Sequence, residues 1–293
     1  SGAIARTALQ SSTEVWAVTR GRRPLPAGVR PLVADRTQPG ELERAVAGQT
    51  WDAVVDCIAY DEPDIRQDLA LFRGRTGRFI FISTDFVYDP RRRRFPQPVE
   101  ADHWAVGATG SLSYGQKKRN AELALIRGAG DDLEWTIFRP CHIYGPTSEL
   151  GCLPLHGRDP QLIQRLRTGE PLTLVGGGHF LQQPILAADL ARTVLSAVGQ
   201  PRARNRIFNL AGPDILESRD YYRIVAEALG VEITVREQPV ADYLAAHPEQ
   251  APFICHRIYD LSPLREADLS VPATPIADGL RQHLAGLLNR PPA

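Results

Sequence analysis

The sequence has 293 residues, of which 43% are apolar and 23% charged, the composition of a globular protein with one large domain or two closely associated ones. Its 34 basic and 34 acidic residues cancel, so no overall electrostatic attraction to nucleic acid or to a membrane is indicated. No apolar run approaches the roughly 20 residues of a membrane-spanning helix, and no secretory signal pattern is present.

The cysteine and methionine counts carry two further expectations. The four cysteines have no metal or redox spacing and are typical of small buried side chains in a reducing compartment, so a cytoplasmic protein is predicted. The sequence contains no Met, not even an initiator, so we expect that it does not start at the translated start.

The first two hundred residues alternate short apolar runs with helical segments, the pattern of a parallel sheet covered by helices. Strands are predicted at 14–20, 29–35, 51–59, 78–84 and 133–140. Helices are predicted at 40–48, 65–74 and 114–128.

The pattern changes after residue 146. Residues 146–181 are rich in Pro and Gly and contain one predicted helix at 159–169. The later predictions are helices at 187–199, 218–230 and 276–289 and strands at 206–212 and 232–238. We predict a doubly wound parallel sheet (a Rossmann fold) over 1–145, with 187–212 returning to it. A smaller α/β substrate domain would comprise 146–186 and 213–293.

The opening segment, SGAIAR, has the pattern of the second half of a Gly-rich turn that leads into a helix. Gly2 would be the middle glycine, and Ala5 would let the helix pack against a strand. The backbone N–H groups of Gly2, Ala3 and Ile4 would then face the pyrophosphate of a dinucleotide. A turn of this kind follows a buried strand, so we expect a strand of about 6–12 residues before Ser1. The alternative is an ordinary disordered start that runs into a helix.

Two segments carry candidate chemistry, FISTDFVYDP (residues 81–90) and SYGQKKRNAE (residues 113–122). Tyr114 and Lys118 are four residues apart, so on a helix they share one face. The Lys118 cation is expected to lower the pKa of Tyr114 from about 10 and make it a usable acid or base. Thr84 ends a predicted strand at the ligand edge of the sheet. The three residues suit proton exchange with an alcohol while a nicotinamide ring takes or gives hydride.

Six pieces of the sequence resemble the extended short-chain dehydrogenase/reductase superfamily, specifically its NAD(P)-dependent epimerase/dehydratase family: SGAIA, DAVVDCIAY, ISTDFVY, YGQKK, FRPCHIYGP and ILAADLA. They occur in the order of the family across nearly the whole chain. The resemblance implies a Rossmann-fold enzyme with Thr84, Tyr114 and Lys118 in the catalytic positions. It places residues 139–145 beside the nicotinamide, with the backbone near His142 at the carboxamide.

The resemblance also implies the remaining site residues. Other cofactor contacts would be Ile58, Ala59, Tyr60, Ser83 and Pro140. Substrate contacts would be Asp85, Phe86, Tyr144, Gln183 and Arg257.

One departure from the family concerns the residues after Thr84. Sugar-nucleotide 4,6-dehydratases carry Asp-Glu there, whereas this chain has Asp85 and Phe86, and Phe cannot take a proton. Dehydration is therefore not expected, and the segment is more similar to reductases that act on keto-deoxysugars. The segments GEPLTLVGGG and PFICHRIYDLSPLREADL also resemble chloroplast stem-loop RNA-binding proteins, which leaves a non-catalytic alternative open.

The cofactor type depends on the end of the strand predicted at 14–20. NAD enzymes place Asp or Glu there, but this chain has Arg20, Arg22 and Arg23 and no acid. Arginine pairs well with a 2′-phosphate, so NADP is predicted rather than NAD. Alternatively, Arg22 and Arg23 are solvated and only Arg20 contacts the cofactor. Asp35 would contact the adenine edge.

The run Arg91 to Arg94 could reach a substrate phosphate or be a solvated loop. It is also the best sequence argument for RNA contact, but the zero net charge and the absence of an aromatic stacking motif argue against nucleic acid. His142, His156 and His256 are dispersed and predict no metal site.

The sequence thus predicts an NAD(P)-dependent oxidoreductase or epimerase. Its substrate would be a secondary alcohol or ketone of a sugar-like or polyhydroxylated small molecule, with a sugar nucleotide as one candidate. No membrane partner is expected, and homodimers are common in the family. The alternative is a non-catalytic nucleotide-sensing or RNA-binding protein on the same fold.

Overall fold

A computed structural model describes residues 1–107, 112–154 and 158–289. The α-helices of this part of the chain are α1 (Gly2–Gln10), α2 (Glu41–Ala45), α3 (Glu62–Phe72), α4 (Tyr114–Gly128), α5 (Leu162–Arg167), α6 (Ala187–Ser196), α7 (Ser218–Leu229), α8 (Val240–Ala246), α9 (Ser262–Glu266) and α10 (Ile276–Leu288). The β-strands are β1 (Trp16–Thr19), β2 (Arg30–Val33), β3 (Trp51–Asp56), β4 (Thr76–Ile82), β5 (Trp135–Pro140), β6 (Ile143–Tyr144), β7 (Leu172–Val175), β8 (Leu181–Gln182), β9 (Ile185–Leu186), β10 (Arg206–Leu210), β11 (Leu216–Glu217) and β12 (Val235–Gln238).

The main sheet has four parallel strands in the order β10-β5-β4-β3. Its two middle strands are almost continuously buried, because helices cover both faces of a parallel sheet, and each includes one buried arginine, Arg78 or Arg139. Helices α3 and α4 pack together on one face, where Leu69, Phe79 and Leu125 belong to one apolar cluster. Helices α1 and α6 pack together, and Ile4 and Val194 belong to a second cluster. The predicted parallel α/β sheet is confirmed.

Strands β1 and β2 form a separate parallel pair. In the described residues no strand pairing joins this pair to β3 at the edge of the main sheet. The indole rings of Trp16 on β1 and Trp51 on β3 meet edge to face, with 6.0 Å between their centroids. The strand expected before Ser1 stays a prediction.

The C-terminal half builds a third apolar cluster, to which Tyr144, Leu172, Tyr221 and Leu280 belong. It includes the parallel pair β7–β12 and the packing of α7 against α10. Strand β10 lies in the main sheet beside β5, although the segments that follow it along the chain belong to the C-terminal half. The exact division into two domains stays a prediction.

Candidate active site

The candidate site lies where β4 ends and α4 begins. Thr84 follows β4 and caps a short 3₁₀ turn, Asp85–Val87, because its hydroxyl accepts a hydrogen bond from the amide of Phe86 at 3.3 Å. Ser113 caps α4 by accepting from the amide of Gln116 at 3.1 Å. This cap makes Tyr114 the first helical residue, so its side chain lies beside the end of β4 and close to the Thr84 hydroxyl.

A row of aromatic rings extends from Tyr114 in both directions. The centroid of its ring is 6.3 Å from that of Tyr60 and 6.1 Å from that of Phe86. Phe86 in turn contacts Phe253 edge to face at 5.2 Å. The rings of Tyr60 and Tyr114 remain 57% and 46% exposed, so the row presents an accessible aromatic surface beside the Tyr114 hydroxyl.

The expected lowering of the Tyr114 pKa by Lys118 is wrong for this structure. Burial raises the pKa of Tyr114, and the nearby Tyr60 hydroxyl raises it further. The nearby Thr84 hydroxyl lowers the pKa, and the charge of Asp85 raises it. The Lys118 ammonium is not among the groups that shift the pKa of Tyr114, and it bonds two backbone carbonyls instead. Tyr114 is therefore a protonated phenol at neutral pH.

Lys118 is buried, and its Nζ donates to the carbonyl of Ala59 at 2.7 Å and to that of Ile82 at 2.9 Å. An ammonium group has three N–H donors, so one donor is left without a partner among the described residues. Burial lowers the pKa of Lys118 to about 8 despite the acidic groups around it, of which Asp56 acts most strongly.

Asp85, a predicted substrate contact, is buried in an ionic cluster. Its carboxylate contacts the Arg257 guanidinium and accepts from the hydroxyl of Tyr259 at 2.5 Å. Arg93 donates to the backbone carbonyl of Asp85 at 2.9 Å. Although burial alone would raise it, the pKa of Asp85 is lowered by the charges of Arg257 and Arg93. The structure thus places Asp85 and Arg257 against each other rather than on an open surface, while the half-buried Phe86 ring lies under Arg257 at 4.5 Å.

Two other predicted substrate contacts are also buried. The amide of Gln183 donates to the carbonyl of Gly212 at 2.8 Å and accepts from the amide of Tyr259 at 2.9 Å. The Tyr144 hydroxyl lies against α10, where a Cβ on Gly279 would come within 2.1 Å of it. Both side chains are therefore engaged inside the protein, and their contact with a substrate stays a prediction.

The predicted nicotinamide segment follows β5. Pro140 ends this strand, and the carbonyl of His142 accepts from the amide of Ile185 at 2.9 Å. Burial lowers the pKa of His142 to about 4, so the imidazole is neutral near pH 7. Ser83 is buried and its hydroxyl donates to Glu122 at 2.6 Å, which leaves only its backbone for a ligand.

The predicted pyrophosphate contacts Gly2, Ala3 and Ile4 form the first turn of α1, whose amides have no acceptor within the helix. The first intrahelical bond runs from the amide of Ala5 to the carbonyl of Ser1 at 3.1 Å. The N-terminus of α1 thus has the donor pattern that binds phosphate at helix ends.

The predicted 2′-phosphate contacts lie just after β1. Arg20 and Arg22 are exposed and near Asp35, which follows β2. Hydrogen bonds from Thr37 lower the pKa of Asp35, and the charges of Arg20 and Arg22 lower it further. Arg23 is also exposed.

Residues 58–60 are fixed in place by hydrogen bonds to carboxylates that the sequence did not indicate as functional. The Asp56 carboxylate accepts from the amides of Ile58 and Ala59 at 2.5 and 2.8 Å. Its other oxygen accepts from Arg36 at 2.6 Å. Ile58 and Tyr60 are exposed, whereas the Ala59 side chain is fully buried. Arg36 also pairs with Asp68 of α3, and no local sequence signal links these three residues.

The run Arg91 to Arg94 is not a free cationic patch. Each member has a partner within the chain: Arg91 with Asp89, Arg92 with His103, Arg93 with Asp85 and Arg94 with Asp102. The partner of Arg93 is buried, so this residue belongs to the core of the Asp85 cluster.

The described residues contain no group of three or more His, Cys, Asp or Glu side chains that could hold a metal ion, and His156 lies outside them. None of the helices in the described ranges is both long and apolar enough to cross a membrane.

Residues 68–211, which run from α3 through the Tyr114 site to just past β10, match the profile of the NAD dependent epimerase/dehydratase family. The chain therefore contains a domain of this family over residues 68–211. It is a NAD(P)-dependent enzyme of the extended short-chain dehydrogenase/reductase type, as the sequence predicted.

Two characterised relatives are similar over most of the chain. The 2′-dehydrokanamycin reductase of Streptomyces kanamyceticus is 27% identical over 263 residues, which cover 84% of this chain and 70% of that protein. The chloroplast stem-loop binding protein of 41 kDa b of Arabidopsis thaliana is 22% identical over 227 residues, covering 71% of this chain and 55% of that protein.

Solved structures share the fold at low sequence identity. An epimerase from Methanothermobacter thermautotrophicus has a TM-score of 0.78 at 14% identity and covers 97% of this chain and 88% of its own. The UDP-glucose 4-epimerase of Thermotoga maritima, solved with UDP-glucose, has a TM-score of 0.73 at 16% identity, with 98% and 94% covered. The enzyme WbmH of Bordetella bronchiseptica, solved with NAD+, has a TM-score of 0.69 at 17% identity, with 98% and 94% covered.

Proposed function

We propose that the protein is an NADP-dependent reductase that converts a ketone on a sugar-like substrate to a secondary alcohol, with Thr84, Tyr114 and Lys118 as its catalytic residues. One observation carries the proposal: the half-exposed Tyr114 phenol lies beside Thr84 at the end of β4, one helical turn before a buried ammonium that has a spare donor among the described residues.

The protonation state of Tyr114 supports reduction over oxidation. Tyr114 is protonated at neutral pH, so it carries a proton that it can donate to the oxygen of a ketone. Thr84 can orient that oxygen through its hydroxyl. The bound nicotinamide would supply the hydride. Epimerisation needs Tyr114 to remove a proton first, which a raised pKa disfavours.

The Asp85 cluster argues against a dehydratase. An elimination needs a carboxylic acid to protonate the leaving hydroxyl and a base to remove a proton from carbon. Asp85 is held as a buried carboxylate by Arg257 and Arg93, so it does not carry the proton. Phe86 occupies the position of the second group and cannot act as a base.

The residues present fit a dinucleotide with a 2′-phosphate. The open amides of α1 suit the pyrophosphate, and the spare donor of Lys118 suits a ribose hydroxyl. Arg20 and Arg22 add positive charge where an NAD enzyme carries an acid. These contacts support NADP as the cofactor.

The aromatic row supports a ring-shaped substrate. Tyr60, Phe86 and Phe253 give an apolar wall next to Tyr114, on which the apolar face of a saturated ring can pack. A relative is named for the reduction of a keto-aminoglycoside, which has rings of this kind. The free cysteines of the described chain suit the predicted cytoplasmic location.

The test begins with cofactor titration by fluorescence, followed by NADPH oxidation with a panel of keto-sugars and keto-cyclitols. Tyr114→Phe removes only the hydroxyl, so it should leave NADPH affinity intact and lower turnover by about 10²–10⁴-fold. Tyr243→Phe, the same change on α8, serves as the matched control and should have no effect. Full turnover in Tyr114→Phe would show that another group donates the proton.

A second candidate function is RNA binding without catalysis, favoured by the similarity to the chloroplast stem-loop binding protein. The internal partners of the run Arg91 to Arg94 weigh against it. Salt-resistant binding of a stem-loop RNA, with no turnover on any ketone of the panel, would favour this candidate.

A further inference from the structure

Glu122 lies at the centre of a buried hydrogen-bond network behind the candidate site. Its side chain is fully buried on α4. One carboxylate oxygen accepts from the Ser83 hydroxyl at 2.6 Å and from Arg139 Nε at 2.8 Å. The other oxygen accepts from Arg139 at 2.7 Å and from Arg119 at 2.8 Å. All four acceptor positions of the carboxylate are therefore occupied.

The partners of Glu122 tie the helix of the candidate catalytic residues to the sheet. Glu122 is one helical turn after Lys118, and Ser83 stands between Ile82, whose carbonyl accepts from Lys118, and Thr84. The Ser83–Glu122 hydrogen bond thus fixes the register of α4 against the end of β4.

The network continues away from the site through Arg139 on β5. Its guanidinium donates to the hydroxyl of Tyr88 at 2.9 Å, and that hydroxyl donates to Asn209 on β10 at 2.6 Å. The network therefore links α4 to three adjacent strands, which makes the position of the helix rigid.

We propose that Glu122 is a positioning residue that holds Tyr114 and Lys118 in register with Thr84 and whose buried negative charge stabilises the Lys118 ammonium. This inference rests on the proposed function. It assigns to Glu122 no contact with substrate or cofactor.

Titratable groups face Lys118 from three directions. Asp56 and Cys57 belong to the end of β3, Asp64 belongs to α3, and Glu122 lies on the same helix. The rings of Phe81 and Tyr60 are 4.6 and 5.6 Å from its Nζ. Without the Glu122 charge, the Arg139 and Arg119 cations would stand uncompensated one turn away and would disfavour a third cation.

Two substitutions separate the position of Glu122 from its charge. Glu122→Gln keeps the length of the side chain and removes the charge, so it should lower the pKa of Lys118 by about 0.5–1 unit. Glu122→Asp keeps the charge and loses the reach to Ser83. It should leave the pKa of Lys118 in place and lower kcat about tenfold or more, with an unchanged KM for NADPH.

The sequence offers a direct readout, because its only lysines are Lys117 and Lys118. NMR of lysine labelled with ¹³C at Cε gives two side-chain signals, and the exposed Lys117 serves as the internal reference. The readout needs no substrate. NADPH affinity, measured between pH 7 and 9, should decrease as Lys118 loses its proton. In Glu122→Gln this decrease should begin at a lower pH than in the unaltered protein.

Ser83→Ala covers the case in which the Glu122 variants do not fold, since it keeps every ion pair of the network. It should reproduce the kcat loss of Glu122→Asp with normal Lys118 titration. The proposal is overturned if Lys118 titrates normally in Glu122→Gln, or if Ser83→Ala has full kcat. A shifted Lys118 signal in a protein without turnover would refute the proposed function but leave the charge role of Glu122 supported.

Discussion

Gly115→Ala should move Tyr114, at the start of α4, away from Thr84, at the end of β4. Gly115 follows Tyr114 at the start of α4, and a Cβ built there would lie 1.9 Å from the carbonyl oxygen of Phe86 and 3.1 Å from the Cβ of Ala105. Restoring an ordinary 3.4 Å contact requires a shift of about 1.5 Å between backbone segments. That shift moves Tyr114 away from Thr84, which caps the turn containing Phe86.

The magnitudes follow from this shift. Overpacking costs about 1–3 kcal/mol, and the helix propensity gained on replacing Gly offsets up to about 1 kcal/mol of it. We expect a net loss of about 1–2 kcal/mol in urea denaturation and a melting temperature lower by about 2–8 °C. Turnover should fall about 10²-fold, because a misplacement of about 1 Å has that effect on reacting groups.

Gly128→Ala is the matched control at the other end of α4. A Cβ there meets only the Leu69 side chain, whose Cδ1 at 2.5 Å can rotate away. It should retain turnover and lose at most about 0.5 kcal/mol of stability. Wild-type turnover together with a wild-type melting temperature in Gly115→Ala would refute the close packing described between α4 and the Asp85–Val87 turn.

Three other changes test the ionic groups. Asp85→Asn leaves buried arginines uncompensated and should lower the free energy of unfolding, measured by urea denaturation, by about 3–5 kcal/mol. The control Asp268→Asn, at an exposed ion pair, should lower it by less than about 1 kcal/mol. Equal losses in the two variants would contradict the burial of the Asp85 cluster. Since His142 has a pKa of about 4 in the folded protein and about 6.5 when unfolded, the unfolded state binds the proton first, and stability should fall by about 3 kcal/mol between pH 6.5 and 4. His142→Gln should remove that part of the slope, and an unchanged slope would assign it to other groups. Arg20→Gln should weaken NADPH binding about tenfold and leave NADH binding unchanged, and fluorescence titration of both cofactors would expose an equal effect on the two.

Local sequence signals were sufficient to predict α4, the helix that carries Tyr114 and Lys118. Helix α4 starts and ends at the residues predicted because a Ser cap precedes it and its apolar positions have helical spacing. Strand β3 was predicted to reach residue 59 but ends at Asp56. The Asp56 carboxylate accepts hydrogen bonds from the amides of Ile58 and Ala59, and these bonds turn the chain. The pattern of apolar residues does not indicate such a turn.

Long-range contacts account for what the sequence did not indicate. Strand β7 lies in a Gly- and Pro-rich segment and pairs with β12, about 60 residues later in the chain. The burial of Arg257 and Gln183 depends likewise on contacts with distant segments. Part of the Glu122 network could be predicted from the sequence, because Glu122 stands in the same segment as Tyr114 and Lys118. Its partner Arg139 could not, because it comes from another strand.

Trp16 on β1 and Trp51 on β3 make an edge-to-face contact between the β1–β2 pair and the main sheet. Arg20 follows β1, and Lys118 lies on α4 with its ammonium bonded to the end of β4. Under the proposed function, a dinucleotide that contacts both residues would connect the β1–β2 pair directly to the main sheet. Amide protons of β1 and β2 should then exchange with solvent more slowly when NADPH is bound, while those of β4 and β5, in the middle of the four-stranded sheet, should be slow in either state.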